Sequence, residues 1–160
     1  MKLLYAGSFD PLTHGHIDII ARAKFFSHVH IGIAHNSTKS SLFTPLERQE
    51  LIKHHFQGIV SSIFVLPEKQ YTGEWAYKNG MFLLRGIRGT KDLEEETSLA
   101  AFNRSEFGVE TIFLPCDEMY THVSSSAVKA IMSCDGWERR LGQYIPRNVV
   151  EALTKKRGLT

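Results

Sequence analysis

Five short apolar runs, at residues 3–6, 29–34, 63–66, 81–84 and 111–114, alternate with stretches of helical spacing, and this alternation leaves few folds open. Strands that alternate with helices pair in parallel through crossover connections, and the helices cover the sheet. The chain therefore reads as α/β: a single Rossmann-like, doubly wound domain over residues 1–160, with a mainly parallel five-stranded sheet and a C-terminal helical extension. A chain of 160 residues is long enough to bury most of the surface that its unfolded form exposes. In such a sheet, ligands are expected at the carboxyl ends of the strands.

The helices have their own signals. After the first run, Ile17, Ile20, Ala21 and Phe25 fall on one face of a helical pattern. Thr44-Pro45-Leu46-Glu47 is a capping box with proline at the first helical position, followed by a stripe of Leu51, Ile52 and Phe56. The acidic run Asp92-Leu93-Glu94-Glu95-Glu96 suits a helix N-terminus, and that helix is expected to reach about Arg104. A further helix starts at Ser124-Ser125-Ser126 and buries Val128, Ile131 and Met132. The last begins at Pro146 and buries Val149, Val150 and Leu153, with residues 137–144 between them as a loop or short helix.

Composition excludes several classes. A net charge of +2 is too small for a long-range field that would draw nucleic acid or a membrane, so any anion site must be built locally. Lys155-Lys156-Arg157 reads as a solvated helix end favoured by the dipole. Cys116 and Cys134 form no Cys-x-x-Cys unit and are expected as free thiols. No signal peptide, lipidation signature or apolar run of membrane length is evident, so a reducing cytoplasm is the expected setting. His28, His30, His35, His54 and His55 lack zinc-ligand spacing, so no protein-held metal is expected.

Four clusters fall where the chain leaves a strand. The first, Gly7-Ser8-Phe9-Asp10-Pro11-Leu12-Thr13-His14-Gly15-His16, joins strand to helix, where free N–H groups and the macrodipole favour a phosphate. The second is the polar loop 35–41, which contains Lys39. The third, Arg85-Gly86-Ile87-Arg88-Gly89, has two arginines that can turn towards one polyphosphate. The fourth, Tyr120-Thr121-His122-Val123-Ser124-Ser125-Ser126, offers more hydroxyls than a helix cap needs.

Thr13-His14-Gly15-His16 supplies the signature of the nucleotidyltransferases with a T/HxGH motif. The Gly-Ser-Phe-Asp-Pro lead-in resembles the bacterial phosphopantetheine adenylyltransferase branch, as do Arg85-Gly86-Ile87-Arg88 and the Ser124–Ser126 string with Val128 and Lys129 behind it. The resemblance covers essentially the whole chain and implies a single nucleotidyltransferase domain. The implied reaction moves AMP from ATP to 4′-phosphopantetheine, giving dephospho-coenzyme A and pyrophosphate. Mg²⁺ is expected to arrive with ATP.

By the same resemblance His16, Lys39 and Arg85 are the expected catalytic residues. Ser8, Lys39, Thr72 and Arg85 are the expected acceptor contacts. Ser8, Phe9, His16, Gly86, Ile87, Arg88, Glu96, Tyr120, Thr121, His122, Val123, Ser124, Ser125 and Ser126 are expected to line the nucleotide site. A homohexamer is implied, with dephospho-coenzyme A and coenzyme A as ligands. The chain departs from the pattern at Ser8, where threonine is commoner, and at Lys129, where an arginine fork is replaced by a single ammonium. Around Thr72 the match is loose. Sister transferases acting on nicotinamide mononucleotide or a polyol phosphate are disfavoured by the serine string and the paired arginines. A nucleotide sensor without catalysis is disfavoured by intact His16, Lys39, Arg85 and Arg88.

Overall fold

The computed structural model describes residues 1–35 and 40–158. Its five strands are β1 (Lys2–Gly7), β2 (His28–Ile33), β3 (Ser62–Val65), β4 (Phe82–Ile87) and β5 (Thr111–Pro115). They form one sheet in the order β3-β2-β1-β4-β5, and every pairing is parallel. β1 lies in the middle, with Tyr5 opposite Ile31 of β2 on one side and Leu84 of β4 on the other. The chain builds outwards from β1 to β3, then crosses back to add β4 and β5 on the other flank. The strand order therefore reverses between β1 and β4, and a crevice opens there beyond their carboxyl ends.

The apolar runs are nearly continuous because both faces of the sheet are buried. Leu3 and Tyr5 of β1 pack with Ile31, Ile33 and Leu84 beneath α1 (His14–Ala23), α2 (Pro45–Phe56), α5 (Ser125–Ile131), α6 (Trp137–Leu141) and α7 (Arg147–Lys156). Leu4 and Ala6 point the other way, with Leu66 and Leu83, towards α3 (Thr72–Lys78) and α4 (Thr90–Phe107). Alternate residues of one strand thus feed two separate cores, as the two-residue strand period requires.

The capping box at α2 forms as its sequence predicts: Thr44 accepts from Glu47 N–H, and Glu47 accepts from Thr44 N–H at 2.7 Å. Two expectations need correction. Phe25 does not share the buried face of α1; the helix ends at Ala23, and Phe25 lies beyond the Lys24 cap with 82% of its surface exposed. Ile19, Ile20 and Ala23 form that face instead, because the helix begins at His14 and its register turns Ala21 partly outwards. The stretch around Thr72 forms the helix expected between the third and fourth strands, α3, with Ala76 buried against the sheet. Finally, α4 runs from Thr90 to Phe107, about a turn longer than its sequence suggests, and stops where Gly108 adopts φ of 68°.

Ile20 is fully buried, so Ile20→Ala should cost about 2–5 kcal/mol through lost contacts and the cavity left behind. Phe25→Ala should change stability by under about 0.5 kcal/mol. Urea unfolding of the two variants checks the corrected face of α1.

Candidate active site

The loop from β1 into α1 is shaped by its own side chains. Phe9 has φ of 47° and folds its ring back over Gly7, where an added Cβ would stand 3.2 Å from the ring. Thr13 caps α1, and its backbone N–H donates to Nδ1 of His16 at 3.1 Å. The histidine thus fills the place that Glu or Gln takes in an ordinary capping box. Nδ1 accepts that hydrogen bond, so in the neutral ring the proton resides on Nε2. Phe9 lies edge-on to the imidazole at 5.0 Å and holds its plane. Desolvation, then the fields of Arg88 and Arg85, lower the His16 pKa to about 4. His16 is therefore a neutral hydrogen-bond donor at physiological pH.

Across the crevice, Arg85 and Arg88 leave the end of β4. Arg85 donates through Nε and Nη2 to the two oxygens of Glu96, and through Nη1 to the Ala6 carbonyl at 2.8 Å. Arg88 forks onto Asp92 through Nε at 2.6 Å and Nη2 at 3.0 Å. Asp92 and Glu96 are four residues apart, so α4 turns both acids to the same side. Burial opposes the Arg85 charge, but the Glu96 hydrogen bonds and charge more than restore it, and its pKa is raised. Hydrogen bonding to Asp92 raises that of Arg88.

A third wall comes from α5. Ser124 caps the helix by accepting from Ala127 N–H at 3.0 Å, and Ser125 donates to the Pro11 carbonyl at 2.9 Å. These elements enclose a cavity of about 370 Å³, lined by Tyr5, Ser8, Phe9, Gly15, His16, Arg85, Gly86, Arg88, Asp92, Glu96, Cys116 and Val123 to Ser126. Gly86 is required there, because a Cβ would stand 2.9 Å from Ile19 at the floor. A second cavity of about 300 Å³ adjoins it on the other side of Arg85, which lines both along with Ala6, Gly7 and Glu96. Its walls are mainly apolar, from Ala34, Leu83, Leu99, Ala100 and Phe102, with Thr72 and Asn103 as polar points.

Of the residues singled out in the sequence, the first cavity gathers Ser8, Phe9, His16, Arg85, Gly86, Arg88, Glu96, Val123, Ser124, Ser125 and Ser126. Thr72 lies in the second. Lys39 falls outside the described residues. Ile87, the last residue of β4, lies outside the lining. Tyr120, Thr121 and His122 also lie outside it: Tyr120 stacks against His14, and His122 packs edge-on to Tyr144. Lys129 serves the loop rather than the cavity, donating to Asp10 at 2.8 Å and to the Ser40 carbonyl at 3.0 Å.

Several residues escaped the sequence reading. Asp92 was legible from its spacing to Arg88 and Glu96, and Asn103, 7% exposed, from its place on the same face of α4. Arg48 gave no such sign; it is 2% exposed and donates to the carbonyls of Ser8 at 2.6 Å and Ala34 at 3.2 Å.

The family model described as cytidylyltransferase-like matches residues 4–131. A phosphopantetheine adenylyltransferase from Prochlorococcus marinus is 40% identical over 158 residues, covering 97% of this chain and 96% of the relative. One from Streptococcus gordonii is 32% identical over 156 residues, covering 96% and 93%. The chain belongs to the phosphopantetheine adenylyltransferase family. Among solved structures, Plasmodium falciparum nicotinic acid mononucleotide adenylyltransferase, complexed with NaAD, has a TM-score of 0.64 at 15% identity. That alignment covers 99% of this chain and 96% of the other and shows a shared fold. As a phosphopantetheine adenylyltransferase family member, the chain is a nucleotidyltransferase whose crevice lies at the point where its strand order reverses.

The lowered His16 pKa has a measurable sign. The unfolded chain takes up its proton near 6.5 and the folded chain near 4, so stability rises with pH across that window. The His16 contribution is complete above the window and is lost as pH falls through it. NMR titration of the imidazole should give a midpoint near 4, with the Nε2–H tautomer at neutral pH.

Proposed function

We propose that the two adjoining cavities are the two halves of an adenylyl-transfer site, the first for ATP and the second for 4′-phosphopantetheine. The products are dephospho-coenzyme A and pyrophosphate, and the step belongs to coenzyme A biosynthesis. The observation that carries this reading is that the Arg85 guanidinium lines both cavities. It stands where the phosphate of one reactant would meet the α-phosphate of the other.

The nucleophile is a phosphate monoester with a second pKa of about 6, mostly dianionic at neutral pH, so no general base is needed. An oxygen of that phosphate bonds to the α-phosphorus as the bond from the α-phosphorus to the β-bridging oxygen breaks, and pyrophosphate leaves. The task is alignment of two anions and stabilisation of charge gathering on the α-phosphate. His16, neutral and with its proton on Nε2, donates a hydrogen bond to a non-bridging oxygen there. Because the ring is neutral, it has no acidic imidazolium proton to pass to the attacking phosphate dianion. Three of the five N–H donors of Arg85 are engaged by Glu96 and Ala6, which leaves others for the incoming phosphate. Lys39 and Ser8 would hold and align that phosphate. Arg88 and the Ser124–Ser126 turn would take the β- and γ-phosphates.

Both carboxylates of the first cavity are engaged by arginines. Mg²⁺ therefore enters as part of the nucleotide substrate, held by phosphate oxygens and water. The apolar second cavity suits the pantetheine arm, with Asn103 and Thr72 as partners for its amides. Dephospho-coenzyme A, and coenzyme A as a product-like ligand, would span both cavities. The resemblance supports a homohexamer working in the cytoplasm, and sedimentation equilibrium tests the assembly.

Incubation with Mg²⁺, ATP and 4′-phosphopantetheine should yield dephospho-coenzyme A by mass, and absence of product overturns the reading. His16→Ala should lower kcat at least about a hundredfold, as loss of an oxyanion donor does, with the ATP dissociation constant nearly unchanged. Asn103→Ala should raise the KM for 4′-phosphopantetheine about three- to tenfold, the value of a neutral hydrogen bond, and leave the KM for ATP unchanged.

A further inference from the structure

Tyr5 stands on β1 directly beneath the first cavity, and nothing in the transfer step uses it. The residue is 7% exposed, and what remains open lines that cavity. Among the described residues its hydroxyl has no hydrogen-bond partner, whereas a tyrosine buried to this degree ordinarily finds one. The oxygen reaches across to β4, where a Cβ added to Gly86 would stand 3.5 Å from it. This is the seam at which the strand order reverses. The ring is fixed there by edge-on packing against Phe9 at 5.6 Å and His16 at 6.3 Å, which leaves the O–H torsion as its main freedom.

Burial holds the phenol well above its usual pKa, although Arg85 and Arg88 pull the other way. The group is thus a neutral donor and acceptor, never a base, and it sits beside the two arginines assigned to phosphate. Solvent that reaches the cavity bonds such a hydroxyl, and a bound nucleotide that fills the space above Gly86 would displace it.

We propose that Tyr5 is a nucleotide-contacting residue, its hydroxyl bonding an oxygen of the bound nucleotide on the sugar and α-phosphate side, next to His16. The proposal rests on the first cavity being the nucleotide half of the site. It adds a contact that holds the nucleotide from the floor of the sheet, while the arginines and the Ser124–Ser126 turn hold it from the sides.

Tyr5→Phe tests it, because the ring and its packing remain and only the oxygen is removed. Binding of Mg²⁺-ATP, measured by calorimetry without acceptor, should weaken about three- to tenfold if the partner is a sugar hydroxyl and more if it is a phosphate oxygen. The thermal midpoint should stay at the native value, which separates a ligand contact from a structural role. With 2′-deoxy-ATP or 3′-deoxy-ATP, the native-to-variant ratio falls to unity for whichever sugar hydroxyl is the partner. It persists with both analogues if the partner is a phosphate. A loss of less than about threefold for ATP overturns the proposal. Because the readout is binding, a native protein that binds ATP but transfers nothing would sink the reaction and leave this contact standing.

Discussion

The Arg85 guanidinium is held on three sides, by both oxygens of Glu96 and by the carbonyl of Ala6, and the geometry of the site follows from that anchorage. A cation between two cavities must be partly buried to act on both, and burial alone disfavours its charge. Glu96 offsets that cost and fixes the plane of the fork. Arg85 lies on β4 and its partners on α4 and β1, so the orientation of one side chain records the relative placement of two neighbouring strands and one covering helix. Arg88 repeats the device with Asp92 one helical turn earlier on α4. With each arginine matched by an acid, the pocket keeps its cations ordered before any anion arrives.

His16 solves the opposite problem. Where the arginines are kept charged, the imidazole is kept neutral by desolvation and by those same arginines. The Thr13 N–H then selects the tautomer, since a backbone donor at Nδ1 leaves the proton on Nε2. One capping interaction thereby starts a helix and also sets the protonation state of a side chain in the pocket wall. Histidine serves both purposes: a glutamate would cap equally well but would present a negative charge to the pocket.

Much of this was legible in the sequence because it is local. The strand runs, the capping box at Thr44 and the loop after Leu3-Leu4-Tyr5-Ala6 depend on neighbours within one turn or one strand. The convergence of Ser8, His16, Arg85, Arg88 and the serines on one rim was legible because parallel strands place all their carboxyl ends together. What escaped depends on distant partners. Phe25 fits a helical period on paper, but the helix ends before reaching it. The inward face of α4 carries Asp92, Glu96, Ala100 and Asn103, so a search for an apolar stripe finds none although the face is buried against the site. Arg48 reads as an ordinary surface helix residue until Ser8 and Ala34 are found to turn their carbonyls towards it.

Those carbonyls explain why a lysine suffices at position 129. The loop between β1 and α1 is restrained from outside itself: Arg48 of α2 holds the Ser8 carbonyl, and Ser125 of α5 holds that of Pro11. Asp10, almost fully buried, accepts from the backbone N–H groups of Leu42 and Phe43 and from the Lys129 ammonium. The partners of Lys129 are thus one carboxylate oxygen and one carbonyl, neither of which needs a planar fork. A bidentate guanidinium is required where a side chain must grip two oxygens of a single group, as at Glu96 and Asp92. At position 129 a compact charge with free rotation fits a loop that must be pinned at two separate oxygens, and the loop so pinned presents Ser8 and His16 without reorganising when substrate arrives.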